Sequence, residues 1–263
     1  MKALTRNRRH PLAGLVLLVM GLLLTGALYA GASSFNNAQA ANTTYTQNDV
    51  SEGKKLYVTN CATCHGMNAT GSPAAPSLIG VGAASVDFQV GSGRMPMQMQ
   101  GPQAWVKPPQ FNDEQTKQLS AYVASLGAGP AVPEEEYLDT SKGNSANGGE
   151  VFRVNCAMCH SASAGGGALT RGKFAPSLYG VSEKHIYEAM VTGPQNMPVF
   201  SDTNIAPEDK RDLITFLKEI EAQGSPGGAK LGSLGPVAEG LFIWTAGLAV
   251  CIGFMVWLTS RPS

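Results

Sequence analysis

The chain has 263 residues, 43% of them hydrophobic, and its 19 basic and 19 acidic residues leave no net charge at pH 7. Five basic residues flank two apolar segments at the chain ends, and the region between those segments has 14 basic and 18 acidic residues, a net charge of −4. A protein that neutralises nucleic-acid phosphates needs a basic surface, so this composition argues against a nucleic-acid partner.

The N-terminus combines a basic tail with an apolar segment. Lys2, Arg6, Arg8 and Arg9 precede residues 12–32, which are uncharged and long enough to span a hydrocarbon core of ~30 Å at ~1.5 Å per residue. We predict that residues 1–33 form a basic tail and a transmembrane helix. The alternative is a cleaved signal peptide, because Ala38-Gln39-Ala40 resembles a cleavage site. Either interpretation exports the residues that follow.

The sequence Cys-x-x-Cys-His occurs twice in the exported region. Its residues are Cys61, Cys64 and His65 in the first copy, and Cys156, Cys159 and His160 in the second. Two thiols three positions apart on a helix, followed by an imidazole, can hold a porphyrin edge covalently and ligate its iron. This is the attachment motif of c-type haem, and it predicts two covalently bound haem c groups with iron.

Two other uses of paired cysteines fit less well. A zinc site needs four ligands, usually with a second pair about 12–20 residues away, whereas these pairs lie 95 residues apart. A thioredoxin-type dithiol follows a strand in a βαβ pattern, which this glycine-rich sequence lacks.

The motifs lie within an internal duplication. Each copy has a Gly-x-x-x-aromatic pattern before its first cysteine, an Ala-Pro-Ser-Leu segment, a Met-Pro pair and an amphipathic helix with apolar residues at helical spacing. The corresponding positions are 53–57 and 148–152, 75–78 and 175–178, 95–96 and 197–198, and 119–126 and 213–220. Asn112 and Pro207 are predicted to start the last helix of each copy. The predicted domains are residues 45–127 and 148–224, joined by a polar connector at 128–147.

Each copy resembles a class I cytochrome c domain, which makes the predicted fold all-α. The resemblance implies thioether bonds from Cys61 and Cys64 to one haem and from Cys156 and Cys159 to the other. The implied axial ligands are His65 with Met95, and His160 with Met197. It further implies that the carbonyls of Pro76 and Pro176 accept the histidine ring N–H, which fixes the ring orientation. Gly53 and Gly148 are expected to let two helices of each copy cross closely.

Some assignments within the ligand loops leave alternatives open. The first loop also contains Met97 and Met99, and only the alignment with Met197-Pro198 selects Met95. In the second copy His185 is an alternative ligand to Met197, although a solvent-facing helical histidine is the default expectation.

The C-terminal part of the chain contains a second apolar segment that is long enough to span a membrane. Residues 225–236 form a Gly-rich tether, and residues 237–259 are predicted to be a transmembrane helix with Trp244 and Trp257 at interfacial depth. Arg261 follows it, so the positive-inside rule places both termini in the cytoplasm and both haem domains on the extracytoplasmic side. The odd cysteine, Cys251, is expected to be an apolar packing residue.

The order of these segments resembles the cytochrome c subunit of the actinobacterial menaquinol–cytochrome c reductase, the respiratory cytochrome bc complex. The resemblance implies electron transport from a Rieske iron–sulfur subunit to a cytochrome c oxidase, beside a cytochrome b subunit and membrane lipid. The chain would then be an enzyme (a translocase) only as an electron-transfer subunit. The alternative is a dihaem subunit of another membrane oxidase or dehydrogenase. A dihaem peroxidase is disfavoured, because each copy supplies a methionine for the sixth iron position.

Overall fold

The computed structural model describes residues 13–39, 45–224 and 236–260. The chain is mostly helical, and its contacts divide it into one unit up to Thr44 and a second from Tyr45 onward. Several predicted features lie outside the described residues: the basic residues 2–9, the proposed cleavage point between Ala40 and Ala41, residues 225–235 of the tether, and Arg261.

The first unit contains a single described helix, α1 (Ala13–Gln39). The sequence predicts a helix here because residues 12–32 are apolar and lack proline. The apolar stretch whose side chains are described runs from Gly14 to Leu28 and is shorter than a membrane span. A membrane-spanning role for α1 therefore stays a prediction.

The first cytochrome-like domain is built from four helices. They are α2 (Gln47–Asn60), α3 (Ala62–His65), α4 (Gly82–Gly91) and α5 (Asp113–Ala124). Both long helices begin with a capping box, in which the cap side chain and the third helical residue satisfy each other's backbone N–H. Thr46 and Asp49 form the box of α2, and Asn112 and Gln115 form that of α5. The predicted helix start at Asn112 is confirmed.

The second domain repeats this arrangement. The connector contains two 3₁₀ turns (Glu135–Tyr137 and Thr140–Lys142), and the helices α6 (Ser145–Asn155), α7 (Ala157–His160), α8 (Glu183–Thr192) and α9 (Pro207–Gln223) follow. Asn144 caps α6 by accepting from the N–H of Ala146 and Asn147. Pro207 is the first residue of α9, as predicted, because a proline there lacks only an N–H that has no helical partner.

Helices α2 and α5 cross in the first domain, and α6 and α9 cross in the second. A Cβ built on Gly53 would lie 1.9 Å from the carbonyl oxygen of Gln118, and one built on Gly148 would lie 1.9 Å from that of Asp212. Only glycine allows backbones to approach so closely, so the predicted close crossings are confirmed.

One hydrophobic cluster fills each domain beside its helix crossing. Tyr57, Leu119 and Val123 are fully buried in the first cluster, and Phe152, Leu213 and Ile214 are fully buried in the second. Leu119, Val123 and Leu213 belong to the helically spaced apolar positions of the duplicated segments, and Tyr57 and Phe152 are the aromatic residues of the repeated Gly-x-x-x-aromatic pattern.

The second domain departs from an all-α fold in one place. Two short antiparallel strands, β1 (Gly167–Ala168) and β2 (Phe174–Ala175), pair between His160 and Pro176. Pro176 lies 16 positions after its histidine, whereas Pro76 lies 11 positions after His65. The longer loop of the second copy has room for this hairpin, which the all-α prediction missed.

Two sets of contacts join the domains. Helix α4 of the first domain packs on α8 of the second. Farther along, the Gln103 side chain both donates to and accepts from the backbone of Phe174, at 2.9 Å in each case, and the Trp105 ring lies 4.9 Å from the Phe174 ring.

The last helix, α10 (Pro236–Thr259), is strongly apolar. Its residues Ala238–Thr259 have a mean hydropathy of 2.2, and within the described part of the chain this helix alone is long and apolar enough to cross a membrane. The side chains of Trp244, Cys251 and Trp257 are exposed on it. They do not pack in a protein interior, which suits a helix that faces lipid.

Candidate functional site

Each Cys-x-x-Cys-His motif lies at a break between two helices. Cys61 ends α2 while its N–H still donates to the carbonyl of Tyr57, and its own carbonyl accepts from the N–H of His65. Cys156 occupies the same place after α6, with Phe152 and His160 as the corresponding partners. A short second helix follows the break in each domain. Both thiols and the imidazole of a motif therefore lie on consecutive helical turns.

Both histidine rings make the contact that the resemblance implied. Nδ1 of His65 lies 2.8 Å from the carbonyl oxygen of Pro76, and Nδ1 of His160 lies 2.9 Å from that of Pro176. A carbonyl oxygen only accepts, so the proton must reside on Nδ1 of each ring. The lone pair is therefore on Nε2, which is the arrangement an imidazole needs to bind iron.

The loop that presents each proline carbonyl is held by the same bonds in both domains. The N–H of Gly71 donates to the carbonyl of His65, and the N–H of Gly166 donates to that of His160. A Cβ on Gly71 would lie 2.6 Å from the N atom of Ser77, and one on Gly166 would lie 2.5 Å from the carbonyl oxygen of Ala175. Glycine at these positions lets the loop close beneath the histidine.

The first cysteine of each motif and the second histidine have shifted pKa values. Burial, followed by the neighbouring thiol, raises the pKa of Cys61 and of Cys156 to about 11, so both thiols carry a proton at neutral pH. Burial lowers the pKa of His160, with the bond to Pro176 acting in the opposite direction, so this ring is neutral and able to ligate iron.

Met95 packs against the hydrophobic cluster of the first domain and is half-buried. Its N–H donates to the carbonyl of Gln89 at the end of α4. The two competing residues, Met97 and Met99, have exposed side chains. The structure thus places Met95 against the core, whereas Met97 and Met99 are exposed and are not part of that cluster.

Met197 has the corresponding place in the second domain. It is half-buried and packs against the second hydrophobic cluster. The turn before it is fixed by the N–H of Met197, which donates to the carbonyl of Pro194, and Nζ of Lys173 donates to the side chain of neighbouring Asn196.

Lys107 holds the first methionine loop, and the sequence did not predict this role. Its Nζ donates to the carbonyls of Gly93 and Pro96, at 2.7 and 2.6 Å, on either side of Met95. One feature of the sequence could have indicated this role: Lys107 is a single lysine in an otherwise apolar and proline-rich stretch. A cation in such a place needs hydrogen-bond acceptors, and the neighbouring backbone carbonyls supply them.

The expectation of a solvent-facing His185 is wrong. Its side chain is only 19% exposed, and its Nε2 lies 3.8 Å from a carboxylate oxygen of Asp87 in the other domain. The histidine belongs to the contact between α4 and α8, which helical spacing within one domain cannot predict.

Each domain therefore offers two thiols, an imidazole with its lone pair on Nε2, and a methionine beside the same core. This donor set of one nitrogen and one neutral sulfur suits a low-spin haem iron that exchanges electrons. If both donors bound the same iron, no position would be left for oxygen or peroxide.

Comparisons with known proteins agree with this geometry. Residues 50–127 match the family described as cytochrome c, and residues 143–217 match the family described as cytochrome c oxidase, cbb3-type, subunit III. The chain is 43% identical to a protein of Corynebacterium efficiens named cytochrome bc1 complex cytochrome c subunit, over 97% of this chain and 91% of that protein.

Two further relatives match this chain over different shares of its length. A protein of Mycobacterium bovis with the same name is 41% identical over 98% of this chain and 94% of its own length. A cbb3-type cytochrome c oxidase subunit FixP of Sinorhizobium medicae is 31% identical, but over only 58% of this chain and 54% of its own length.

Proposed function

Because this chain belongs to the family of cytochrome bc1 complex cytochrome c subunits, we propose that it carries electrons from a Rieske iron–sulfur protein to a cytochrome c oxidase. The family and the two cytochrome c domains give the chain two covalently bound haem c groups and an electron-transfer role in a reductase complex. The observation that carries the proposal is similarity to these subunits along almost the whole chain, both haem domains included.

We assign the thioether bonds to Cys61 and Cys64 in the first domain and to Cys156 and Cys159 in the second. His65 and His160 would bind iron through Nε2, because Nδ1 of each ring donates to a proline carbonyl. The domain boundaries that suit these sites are 45–127 and 148–224.

Met95 and Met197 would supply the sulfur ligand to the iron of each haem. Their half-buried positions against the two cores support this choice over the exposed Met97 and Met99. When bound, each haem iron supplies one-electron chemistry, alternating between Fe(III) and Fe(II). The neutral methionine sulfur favours the reduced iron and raises the reduction potential relative to a second imidazole. Such a potential suits a carrier downstream of quinol oxidation.

The membrane arrangement follows from the chain ends. We propose that α1 and α10 both span the membrane, with both termini in the cytoplasm and both haem domains outside it. The strongly apolar α10 supports one anchor, and the basic residues that precede α1 and follow α10 support the orientation. A carrier fixed in the same assembly as its donor and acceptor delivers electrons without diffusing, since tethering raises its effective concentration.

The subunit therefore acts within a translocase but does not oxidise quinol itself. Its proposed neighbours are a cytochrome b subunit, the Rieske subunit and the oxidase. A second candidate is a dihaem subunit of another membrane oxidase, which the match of residues 143–217 to the cbb3-type family favours. The cbb3-type relative is similar over only 58% of this chain, whereas the cytochrome bc1 complex subunits are similar over 97–98% of it, so the second candidate accounts for less of the chain.

The test is affinity purification of the full chain from membranes in mild detergent, with identification of the co-eluting subunits. We expect cytochrome b, the Rieske protein and oxidase subunits in fixed proportion. A control chain ending at residue 235, which lacks α10, should lose them. Recovery of a different oxidase or a dehydrogenase without cytochrome b would contradict the proposal.

A further inference from the structure

The contact between α4 and α8 contains three potential metal ligands. Asp87 comes from the first domain, and His185 and Glu188 come from the second. Their ligand atoms, one from each residue, all lie within 4.8 Å of one another. Asp87 and Glu188 are buried and His185 is nearly so. We call these three residues the seam cluster.

Glu188 is the feature of the seam cluster that needs an explanation. Its side chain is 0% exposed, and neither carboxyl oxygen has a hydrogen-bond partner within the part of the chain that the structure describes. The carboxylate of Asp87, in contrast, is ion-paired, because its Oδ1 lies 2.7 Å from Nζ of Lys184. Buried carboxyl groups are normally paired, hydrogen-bonded or bound to a metal ion. Helix α8 instead directs Glu188 into the contact with α4, towards the other two ligands.

We propose that the seam cluster binds a divalent transition-metal ion of the zinc class, which links the two haem domains. Imidazole nitrogen and carboxylate oxygen are both ligand types that zinc accepts, and water would take the fourth tetrahedral position beside the three protein ligands. Calcium and magnesium prefer oxygen ligands alone, so the nitrogen of His185 favours zinc or a similar ion. Since Asp87 belongs to one domain and the other two ligands to the second, the ion joins them.

The charges around the seam cluster suit a divalent cation when the Lys184 side chain turns away from Asp87. Nζ of Lys184 lies 2.7 Å from an oxygen of Asp87, but its side chain is 41% exposed and can turn into solvent. A divalent ion then balances the two carboxylates.

Neighbouring contacts hold the ligands in place. The ring of His185 lies edge-on to the ring of Phe88, at 6.0 Å between centroids, and a Cβ on Gly91 would lie 3.0 Å from His185 Nε2. Glycine at position 91 keeps space around this nitrogen. The seam cluster thus has oriented donors on two rigid helices.

The experiment measures zinc on the intact dihaem chain purified in detergent. The protein is stripped with a chelator, equilibrated with low micromolar zinc and desalted, and zinc is counted by mass spectrometry against the two haem irons. We expect one zinc per two irons in the wild type. Asp87→Asn, His185→Gln and Glu188→Gln should each weaken zinc binding more than about tenfold.

Two further variants make the result specific. Glu150→Gln, which alters an exposed carboxylate on α6 rather than on α4 or α8, should retain the zinc. Lys184→Gln should bind zinc more tightly than the wild type, because it removes the competing cation. An unchanged haem spectrum establishes that each variant is folded. A wild type that retains no zinc, or a Glu188→Gln variant that retains as much as the wild type, would overturn the proposal.

Discussion

Replacing Gly148 with alanine should destabilise the second haem domain by about 1–3 kcal/mol, the usual cost of overpacking a core. The new Cβ would lie 1.9 Å from the carbonyl oxygen of Asp212, whereas ordinary contacts begin near 3.4 Å. Helices α6 and α9 must therefore separate by about 1.5 Å at their crossing. A backbone carbonyl inside a helix cannot rotate away, so the displacement spreads into the packing of Phe152 and Leu213.

The matched control is Gly149→Ala on the same helix. Its Cβ would lie 3.3 Å from the ends of the Arg153 and Phe216 side chains, which can shift by a few tenths of an ångström. Both variants gain the same helix propensity, up to about 1 kcal/mol, so the difference between them isolates the clash. The first domain, with Gly53 unchanged, serves as an internal reference.

The assay is equilibrium unfolding of the purified dihaem chain in guanidinium, followed by the sulfur-to-iron absorption of the haems. Linear extrapolation gives the free energy of unfolding of each domain. We expect Gly148→Ala to shift the transition of the second domain alone, and Gly149→Ala to shift neither transition substantially. If the two variants unfold at the same denaturant concentration, the helices do not cross at Gly148 and the reasoning fails.

Three further predictions concern the first domain. Met95→His should keep the haem six-coordinate and lower its reduction potential, as measured by redox titration. Met97→Ala should leave the sulfur-to-iron absorption band intact. Loss of that band in Met97→Ala would show that Met97, not Met95, is the ligand. Lys107→Met removes both hydrogen bonds that hold the Met95 loop. Absorption spectra recorded at raised temperature should therefore show a weaker sulfur-to-iron band than in the wild type, while the haem stays covalently attached. An unchanged band would show that the loop does not need these hydrogen bonds. Hydrogen bonds from the backbone and side chain of Thr46, with a smaller contribution from Lys117, lower the pKa of Asp49, so its contribution to stability is present above its ordinary pKa of 3.8 and is lost as the pH falls. Asp49→Asn should therefore flatten the acid limb of a stability–pH profile, and an unaltered limb would contradict this.

The local parts of this fold could be predicted from the sequence. Gly53 and Gly148 marked the two helix crossings because a repeated glycine before an aromatic residue indicates close backbone approach, and the structure confirms both. The role of the proline carbonyls was implied by the resemblance to class I cytochrome c domains, and the Ala-Pro-Ser-Leu segment that follows each haem motif located the two prolines. Asn112 marked a helix start because its side chain caps a free N–H.

Contacts between the domains could not be predicted in this way. The partner of His185 is Asp87, almost a hundred residues earlier in the chain, and neither position belongs to the duplicated pattern. The role of Lys107 could not be predicted because its acceptors are backbone carbonyls, which occur at every position of a sequence. The hairpin at Gly167–Ala168 depends on a longer loop rather than on strand-forming residues. The membrane role of α1 and the iron ligands themselves remain predictions.

Menaquinol-dependent oxygen consumption by the purified assembly, without added soluble cytochrome c, tests the central claim most directly. The claim is that both haem domains lie in series between quinol oxidation and the oxidase. The wild type should consume oxygen, and single variants that remove the iron ligand of either domain, His65→Ala or His160→Ala, should not, although quinol still reduces the centres upstream of the missing haem. Full oxygen consumption in either variant would show that the two domains do not form one electron path.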